Sequence, residues 1–180
     1  MNAEVIKTLI SGCFEIQPEI INDDRGQFIK VFHKDFYIRN HLEYEFSEEY
    51  YSISHKGVLR GLHFQIPPRE HVKLVYCVEG CVLDAIVDLR KNSPTYGRIA
   101  TFELSEKKAN MLYISPGLAH GFYVLSEQAI VVYKVSTVYS PKHDTGILWN
   151  SVGIPWPDKR PILSERDSQL VKFREFKSPF

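Results

Sequence analysis

The sequence predicts a single all-β domain over residues 1–180, a jelly roll with short peripheral helices. Short runs rich in β-branched and aromatic residues recur along the chain, each closed by glycine, proline, asparagine or aspartate. The runs follow one another at roughly 8–12 residues, which is typical of antiparallel sandwiches and barrels rather than of alternating strands and helices. Hydrophobic residues make up 44 % of the chain and aromatic residues 13 %, which is enough for a sizeable core.

The N-terminal part contains two of these strand-like runs. The first covers residues 13–21 (CFEIQPEII) and is followed by a polar turn at 23–26 (DDRG). The second covers residues 27–33, where apolar and polar residues alternate again. A short helix or coil is predicted for residues 35–42.

The central block has the clearest strand pattern. Residues 73–78 (KLVYCV) and 81–89 (CVLDAIVDL) are strand-like and flank a Glu79-Gly80 turn, and residues 90–97 form a long loop. The remaining predicted elements are strands at 99–104, 111–114, 121–125 and 129–139, and a C-terminal helix at 167–176.

Composition argues against several classes of function. Lys+Arg and Asp+Glu both number 22, so the formal charge is zero, whereas proteins that bind polyanions normally carry a basic excess. Cys13, Cys77 and Cys81 show no framework spacing and fit a reduced protein. Residues 1–12 lack the features of a signal peptide, and no apolar stretch reaches the roughly 18 residues of a membrane helix. We therefore expect a cytoplasmic protein without nucleic-acid or membrane partners.

Three segments carry side chains of the kind that do acid–base chemistry. Residues 58–65 (VLRGLHFQ) place Arg60 and His63 in an otherwise apolar run, and Lys73 follows ten residues later, where it can face His63 across the connection. The segment 115–122 (SPGLAHGF) delivers His120 to the start of a strand.

The third segment is the Tyr133-Lys134 pair inside a predicted strand. Val131, Tyr133 and Val135 point to one side of that strand, so the phenol faces either the interior or the outside. His63, His120 and Tyr133 could each have a purely structural role. Isolated histidines are often buried with one partner, and tyrosine favours strands by propensity. Arg25, in the DDRG turn, can equally be a solvated turn residue.

Taken together, the segments resemble the dTDP-4-dehydrorhamnose 3,5-epimerase family, which are cupins of the rhamnose pathway. The resemblance covers most of the chain from Asp24 onward. The matching stretches, in the order of the family, are GVLRGLHFQ (57–65), KLV (73–75), VDLRKNSPTYG (87–97), SPGLAHGF (115–122), VLSE (124–127), YK (133–134), YSP (139–141), GILWN (146–150), WP (156–157) and LSERD (163–167). The resemblance implies a cupin-type double-stranded β-helix and a homodimer whose N-terminal strands contribute to the partner's sheet.

The same resemblance implies inversion of C3 and C5 of a nucleotide-linked 4-keto-6-deoxy sugar. His63 matches the base that removes a proton beside the ketone, and Asp167 matches the carboxylate paired with it. Lys73 matches the cation beside the enolate oxygen, and Tyr133 matches the acid that returns a proton on the opposite face. These roles fit the chemistry, because a forming enolate needs a fixed charge and imidazole titrates near neutral pH.

Substrate-binding positions are implied in the same way. Arg25 and Arg60 match residues that hold the diphosphate, for which the planar guanidinium is well suited. His120 matches a residue that lines the pocket or contacts the sugar. The further substrate-binding positions are Phe28, Glu48, Tyr50 and Tyr139.

Neither a metal nor a redox cofactor is expected. Metal-binding cupins usually offer an HxH pair, a carboxylate and a distant third histidine. Here His63 is followed by Phe64 and Gln65, which leaves His120 as an isolated imidazole, and a stable site needs three or four ligands.

The sequence departs from the family pattern at the nucleotide end. Residues 48–50 are Glu-Glu-Tyr where the family commonly has Gln-Asp-Asn, and Gln27 and Lys30 replace an aromatic residue and a glutamate. These positions are associated with the base and ribose, partly across the dimer. The catalytic positions all match the family pattern, so the reaction class is predicted, while the identity of the nucleotide and of the sugar stays open.

Two other functions stay open on the sequence. One is an enzyme of the same kind, either a single-carbon epimerase or a 3,4-ketoisomerase acting on a related sugar nucleotide. The other is a non-catalytic jelly-roll module that binds a sugar, for which the base and acid would be dispensable.

Overall fold

The protein folds as two packed antiparallel sheets. The computed structural model describes all residues, Met1–Phe180, and contains thirteen strands and three short helices. The strands are β1 (Ala3–Lys7), β2 (Cys13–Pro18), β3 (Ile20–Asp23), β4 (Gly26–Ile29), β5 (Glu48–His55), β6 (Leu59–Gln65), β7 (Lys73–Glu79), β8 (Cys81–Asp88), β9 (Ile99–Ser105), β10 (Met111–Ile114), β11 (Leu118–Val124), β12 (Gln128–Val135) and β13 (Asp144–Gly146). The helices are α1 (Lys34–Arg39), α2 (Glu165–Ser168) and a 3₁₀ turn at Phe173–Glu175.

The sheet order separates the strands into two main layers. One sheet has six strands in the order β1-β2-β10-β7-β12-β5, the other has five in the order β13-β6-β11-β8-β9, and β3 and β4 form a separate hairpin. A buried cluster fills the space between the layers, with Val75 and Val131 from the first sheet against Ile86 and Phe122 from the second. The all-β architecture of packed antiparallel sheets that the sequence predicts is confirmed by this strand arrangement. None of the helices is long and apolar enough to cross a membrane.

Several predicted elements differ in detail from the observed ones. The run at 13–21 divides after Pro18, whose ring removes a backbone donor from the ladder. The run at 27–33 shortens to β4. The single helix predicted at 167–176 does not form, because the chain is extended between α2 and the 3₁₀ turn, where the Val171 carbonyl accepts from the Leu148 N–H at 2.7 Å.

The backbones of β6 and β11 approach closely at two glycines. A Cβ on Gly61 would lie 2.5 Å from the Cα of Gly121, and a Cβ on Gly121 would lie 2.7 Å from the Arg60 carbonyl oxygen. Gly61 also has φ of +131°, a conformation that residues with a side chain rarely adopt. In the register of these strands, His63 lies directly opposite His120.

A buried carboxylate organises the VDLRKNSPTYG segment. Asp88 is fully buried, and its Oδ1 accepts from the N–H and Nε of Arg90, both at 2.9 Å. Its Oδ2 accepts from Arg90 Nη2, Ser93 Oγ and Thr95 Oγ1 at 2.5 to 2.8 Å. Burial opposes ionisation of Asp88, but these bonds outweigh it and hold its pKa below the usual value. The VDLRKNSPTYG segment, which is one of the stretches that match the family, therefore has a structural role: Asp88 holds the loop that follows it.

Replacing Asp88 by alanine should destabilise the fold by roughly 3–5 kcal/mol, because the half-buried Arg90 guanidinium loses its counter-ion and two hydroxyls lose their shared acceptor. Denaturant unfolding measures this loss. Since the folded pKa of Asp88 is depressed, its contribution should also disappear as pH falls through that value. Glu127→Gln removes an exposed ion pair with Lys56 and serves as the control, with little change in midpoint expected. Equal midpoints for the two variants would contradict the assignment.

Candidate active site

A cavity of about 370 Å³ lies between the two sheets. Eight of the residues predicted to act on the substrate line it: Glu48, Tyr50, Arg60, His63, Lys73, His120, Tyr133 and Tyr139. The cavity walls come from both layers, because β6 and β11 belong to the five-stranded sheet and β5, β7 and β12 to the six-stranded sheet.

His63 is held by a carboxylate from the C-terminal part of the chain. Its Nε2 lies 2.6 Å from Oδ1 of Asp167, which is 3 % exposed. The Asp167 backbone N–H is capped by Ser164 Oγ at the start of α2, and its Oδ2 accepts from the Gly61 N–H at 3.3 Å. Burial disfavours the charged carboxylate, but bonds from His63 and Gly61 outweigh it and keep the pKa of Asp167 below the usual value. The ionised carboxylate fixes the orientation of the imidazole and supports its protonated form.

Lys73 begins β7 and is buried beside His63. Its Nζ donates to the His63 carbonyl oxygen at 3.1 Å. Burial lowers the pKa of Lys73 to about 8, while Asp144 and Asp84 favour the charged form and Arg166 opposes it. The sequence-based expectation that His63 and Lys73 face one another agrees with this contact. An ammonium in this position can stabilise negative charge that develops inside the cavity.

A second histidine–carboxylate pair lies next to the first. His120 Nε2 is 2.7 Å from Oδ2 of Asp84, and both side chains are almost completely buried. Burial raises the pKa of Asp84, against the opposing charges of His120 and Lys73. The cavity thus has two imidazoles from neighbouring strands of one sheet.

Tyr133 projects into the cavity from the opposite sheet. It lies on β12 and is 8 % exposed, so its phenol faces the interior, which the sequence alone left open. Its hydroxyl lies 3.3 Å from Ser52 Oγ, and its ring stacks on Tyr50 with centroids 4.8 Å apart. Burial raises the pKa of Tyr133 well above the usual range, so the phenol is protonated at neutral pH.

Two guanidinium groups line the cavity. Arg60 Nε donates to Ser54 Oγ at 2.9 Å, and Arg166 Nη2 pairs with Asp144 Oδ2 at 2.6 Å. Arg60 is exposed and the Arg166 side chain is about half exposed, at 47 %. Both can therefore reach an anionic group that enters from solvent.

The remaining predicted residues divide between the cavity and a distant hairpin. Glu48 Oε2 accepts from the Tyr139 N–H at 2.7 Å, which ties these two cavity residues together. Arg25 and Phe28 lie outside the cavity on the β3–β4 hairpin, where Arg25 pairs with Asp23 and Phe28 is 58 % exposed. Within one chain the structure does not bring this hairpin to the cavity.

Sequence reasoning did not single out several cavity residues. Arg166 was within reach, because it directly precedes Asp167 in the LSERD segment. Ser52 would have emerged from the alternation of β5, had that strand been predicted. Gln65 and Asp144 meet only through the pairing of β6 with β13, for which the sequence offers no local signal. His71, which accepts from Gln65, also lacks such a signal.

No group of three or more histidine, cysteine, aspartate or glutamate side chains has an arrangement that could hold a metal ion. The polar side chains of the cavity instead form pairs, as in His63–Asp167, His120–Asp84 and Arg166–Asp144.

Known proteins are similar to this chain in both sequence and fold. A family model described as dTDP-4-dehydrorhamnose 3,5-epimerase matches residues 7–175. The dTDP-4-dehydrorhamnose 3,5-epimerase of Shigella flexneri is 44 % identical over 172 residues, which cover 94 % of this chain and 95 % of that protein. The crystal structure of the Bacillus anthracis enzyme of that name, with TDP and PPi bound, superposes with a TM-score of 0.92 at 38 % identity, covering 95 % of this chain and 99 % of that one. A Legionella pneumophila dTDP-6-deoxy-D-glucose-3,5-epimerase, in complex with dTDP-4-keto-L-rhamnose, gives 0.93 at 34 % identity, covering 98 % and 95 %.

Proposed function

Because the chain belongs to the dTDP-4-dehydrorhamnose 3,5-epimerase family and is an epimerase, we propose that it converts dTDP-4-dehydro-6-deoxyglucose to dTDP-4-dehydrorhamnose. The observation that carries this proposal is the shared cavity. An imidazole from one sheet and a phenol from the other flank one space, with an ammonium beside the imidazole.

The proposed reaction begins at His63. The neutral imidazole removes the proton from a carbon beside the C4 ketone, and the ionised Asp167 stabilises the imidazolium that results. Removal of this proton requires that the enolate oxygen be stabilised as it forms. Lys73 supplies a positive charge for this purpose in a site where water competes poorly.

Inversion requires that the new proton arrive on the other face of the ring. Tyr133 donates it, because its phenol projects from the sheet opposite His63. A phenol held protonated by burial can still donate to the much more basic carbanion. The same pair acts first at one carbon and then at the other side of the ketone.

The diphosphate is assigned to the exposed end of the cavity. Arg60 and Arg166 offer planar donors there, each held by a neighbouring oxygen, Ser54 Oγ or Asp144 Oδ2. His120 contacts the sugar, while Glu48, Tyr50 and Tyr139 contact the nucleoside. Arg25 and Phe28 complete the site only in a homodimer, in which the β3–β4 hairpin of one protomer would line the cavity of its partner.

A cytoplasmic location is part of the proposal. Its support is that all three cysteines are free, two buried and one half-buried, as expected in a reducing compartment.

The deciding experiment is product analysis with purified protein. Incubation with dTDP-4-dehydro-6-deoxyglucose in heavy water, followed by NMR, should show deuterium and inversion at both C3 and C5. Label at one carbon alone would identify a single-carbon epimerase, migration of the ketone a ketoisomerase, and an unchanged substrate a binding module. Titration with dTDP, CDP, GDP and UDP tests the nucleotide, and a preference other than dTDP would overturn the thymidine assignment.

Lys73 should impose an alkaline limit on catalysis. Since its pKa is lowered to about 8 by burial, the ammonium that stabilises the enolate is lost as pH rises through that value. We expect kcat/KM, which reports the free enzyme, to fall by tenfold per pH unit above it. Lys73→Arg, whose charge persists, should be less active but lack this fall. A wild-type profile that stays flat well above pH 8 would contradict the role of Lys73.

A further inference from the structure

The proposed function, on which this inference rests, creates a proton imbalance in the active site. After one carbon is inverted, His63 holds the proton that it removed and Tyr133 lacks the proton that it gave. The pair can act again only when the imidazolium has lost a proton and the phenolate has regained one. A double epimerase must complete this reset for each carbon, so the path by which Tyr133 is reprotonated affects turnover.

One side chain is hydrogen-bonded to the Tyr133 hydroxyl. Ser52 Oγ lies 3.3 Å from it and has no other hydrogen-bond partner in the structure. Ser52 lies on β5, the outer strand of its sheet, where it pairs with Val131, and it also lines the cavity. Its hydroxyl thus bonds the phenol at the wall of the cavity, where a water molecule that enters the cavity can reach it.

Other polar groups near the phenol make no hydrogen bond to its hydroxyl. Ser54, two residues along the same face of β5, accepts from Arg60. Tyr50 covers one face of the Tyr133 ring by stacking, with an interplanar angle of 19°. Asp84 is bonded to His120. Ser52 is therefore the group with a free hydroxyl at the right atom.

We propose that Ser52 is a positioning and proton-relay residue for Tyr133. As the new C–H bond forms, the Tyr133 O–H bond breaks and leaves a phenolate. The Ser52 hydroxyl proton then moves to the phenolate oxygen while a water molecule in the cavity gives a proton to the serine oxygen. The hydroxide so formed is neutralised by the proton that His63 releases, and the sum is transfer of one proton from His63 to Tyr133.

The length of the bond fits this role. At 3.3 Å it is longer than an ordinary O–H···O bond, so it contributes little while the phenol is neutral. Hydrogen bonds to an ionised oxygen are shorter and roughly twice as strong. Ser52 therefore stabilises the phenolate more than the phenol, which favours proton donation rather than substrate binding.

The test compares Ser52→Ala and Ser52→Thr with the wild type. Loss of a hydrogen bond to a charged group should lower kcat of Ser52→Ala about 10- to 100-fold with KM unchanged. In heavy water, this variant should exchange substrate protons faster than it inverts them, because only the Tyr133 step is slowed. Ser52→Thr keeps the hydroxyl and should recover most of kcat and the wild-type ratio of exchange to inversion.

Ser47→Ala is the matched control. Ser47 directly precedes β5 and its hydroxyl bonds only the Ser136 carbonyl, so it should behave as wild type. Unchanged kcat in Ser52→Ala, a change in KM alone, or a threonine variant as slow as alanine would each overturn the relay. Inactive wild-type protein in the same assay would instead refute the proposed function itself.

Discussion

Replacing His63 by glutamine is expected to lower kcat by about 10²–10⁴-fold, with the protein still folded. The amide cannot accept the substrate proton, although it can still bond Asp167. Exchange of substrate protons with solvent deuterium should therefore stop together with inversion. Steady-state kinetics and NMR in heavy water measure both.

His55→Gln is the control for this substitution, because His55 is exposed at the end of β5. It should retain wild-type kcat. The thermal unfolding midpoint of His63→Gln should lie near that of wild type, so that lost activity cannot be attributed to lost structure. A His63→Gln variant that still exchanged deuterium would assign the base to another residue, with His120 the first candidate.

Replacing Tyr133 by phenylalanine should separate the two halves of the reaction. Inversion is expected to slow by about 10²–10⁴-fold, because the donor on the second face is gone. Deprotonation by His63 should continue, and the enolate should be reprotonated from the same face. The variant is therefore expected to introduce deuterium with retention of configuration, which NMR distinguishes from inversion.

The control for Tyr133→Phe is Tyr76→Phe. Tyr76 is also buried in the six-stranded sheet but packs in the cluster on its other face, without a hydrogen-bond partner for its hydroxyl. It should leave kcat unchanged. If Tyr133→Phe lost exchange and inversion in equal measure, the phenol would have a role in forming the enolate rather than in protonating it.

The sequence predicted the sheet interior better than its edges. Strands such as β7 and β8 are buried over most of their length, so their apolar runs stand out. Three strands that were not predicted lie at sheet edges, β1 and β5 in the six-stranded sheet and β13 in the five-stranded sheet. Most residues of each are at least partly exposed, so none has a strong alternating pattern. Their place depends on partner strands distant in sequence.

The site was predictable to the extent that its residues lie in recognisable segments. The proximity of His63 and Lys73 followed from their spacing along two successive strands. Asp167 lies 104 positions from His63, so only the family resemblance pointed to it. Ser52 and Asp144 have roles that depend on contacts between strands distant in sequence, which composition and periodicity do not encode.

The close approach of β6 and β11 at two glycines determines which interior substitutions the active site can tolerate. Backbone pairing and the absence of side chains at Gly61 and Gly121 set how far apart the His63 and His120 strands lie, because a Cβ at either glycine would meet main-chain atoms of the other strand. Repacking the interior with larger or smaller apolar residues should therefore preserve the separation of the two imidazoles. Gly61 and Gly121 are the two positions that a redesign must leave alone.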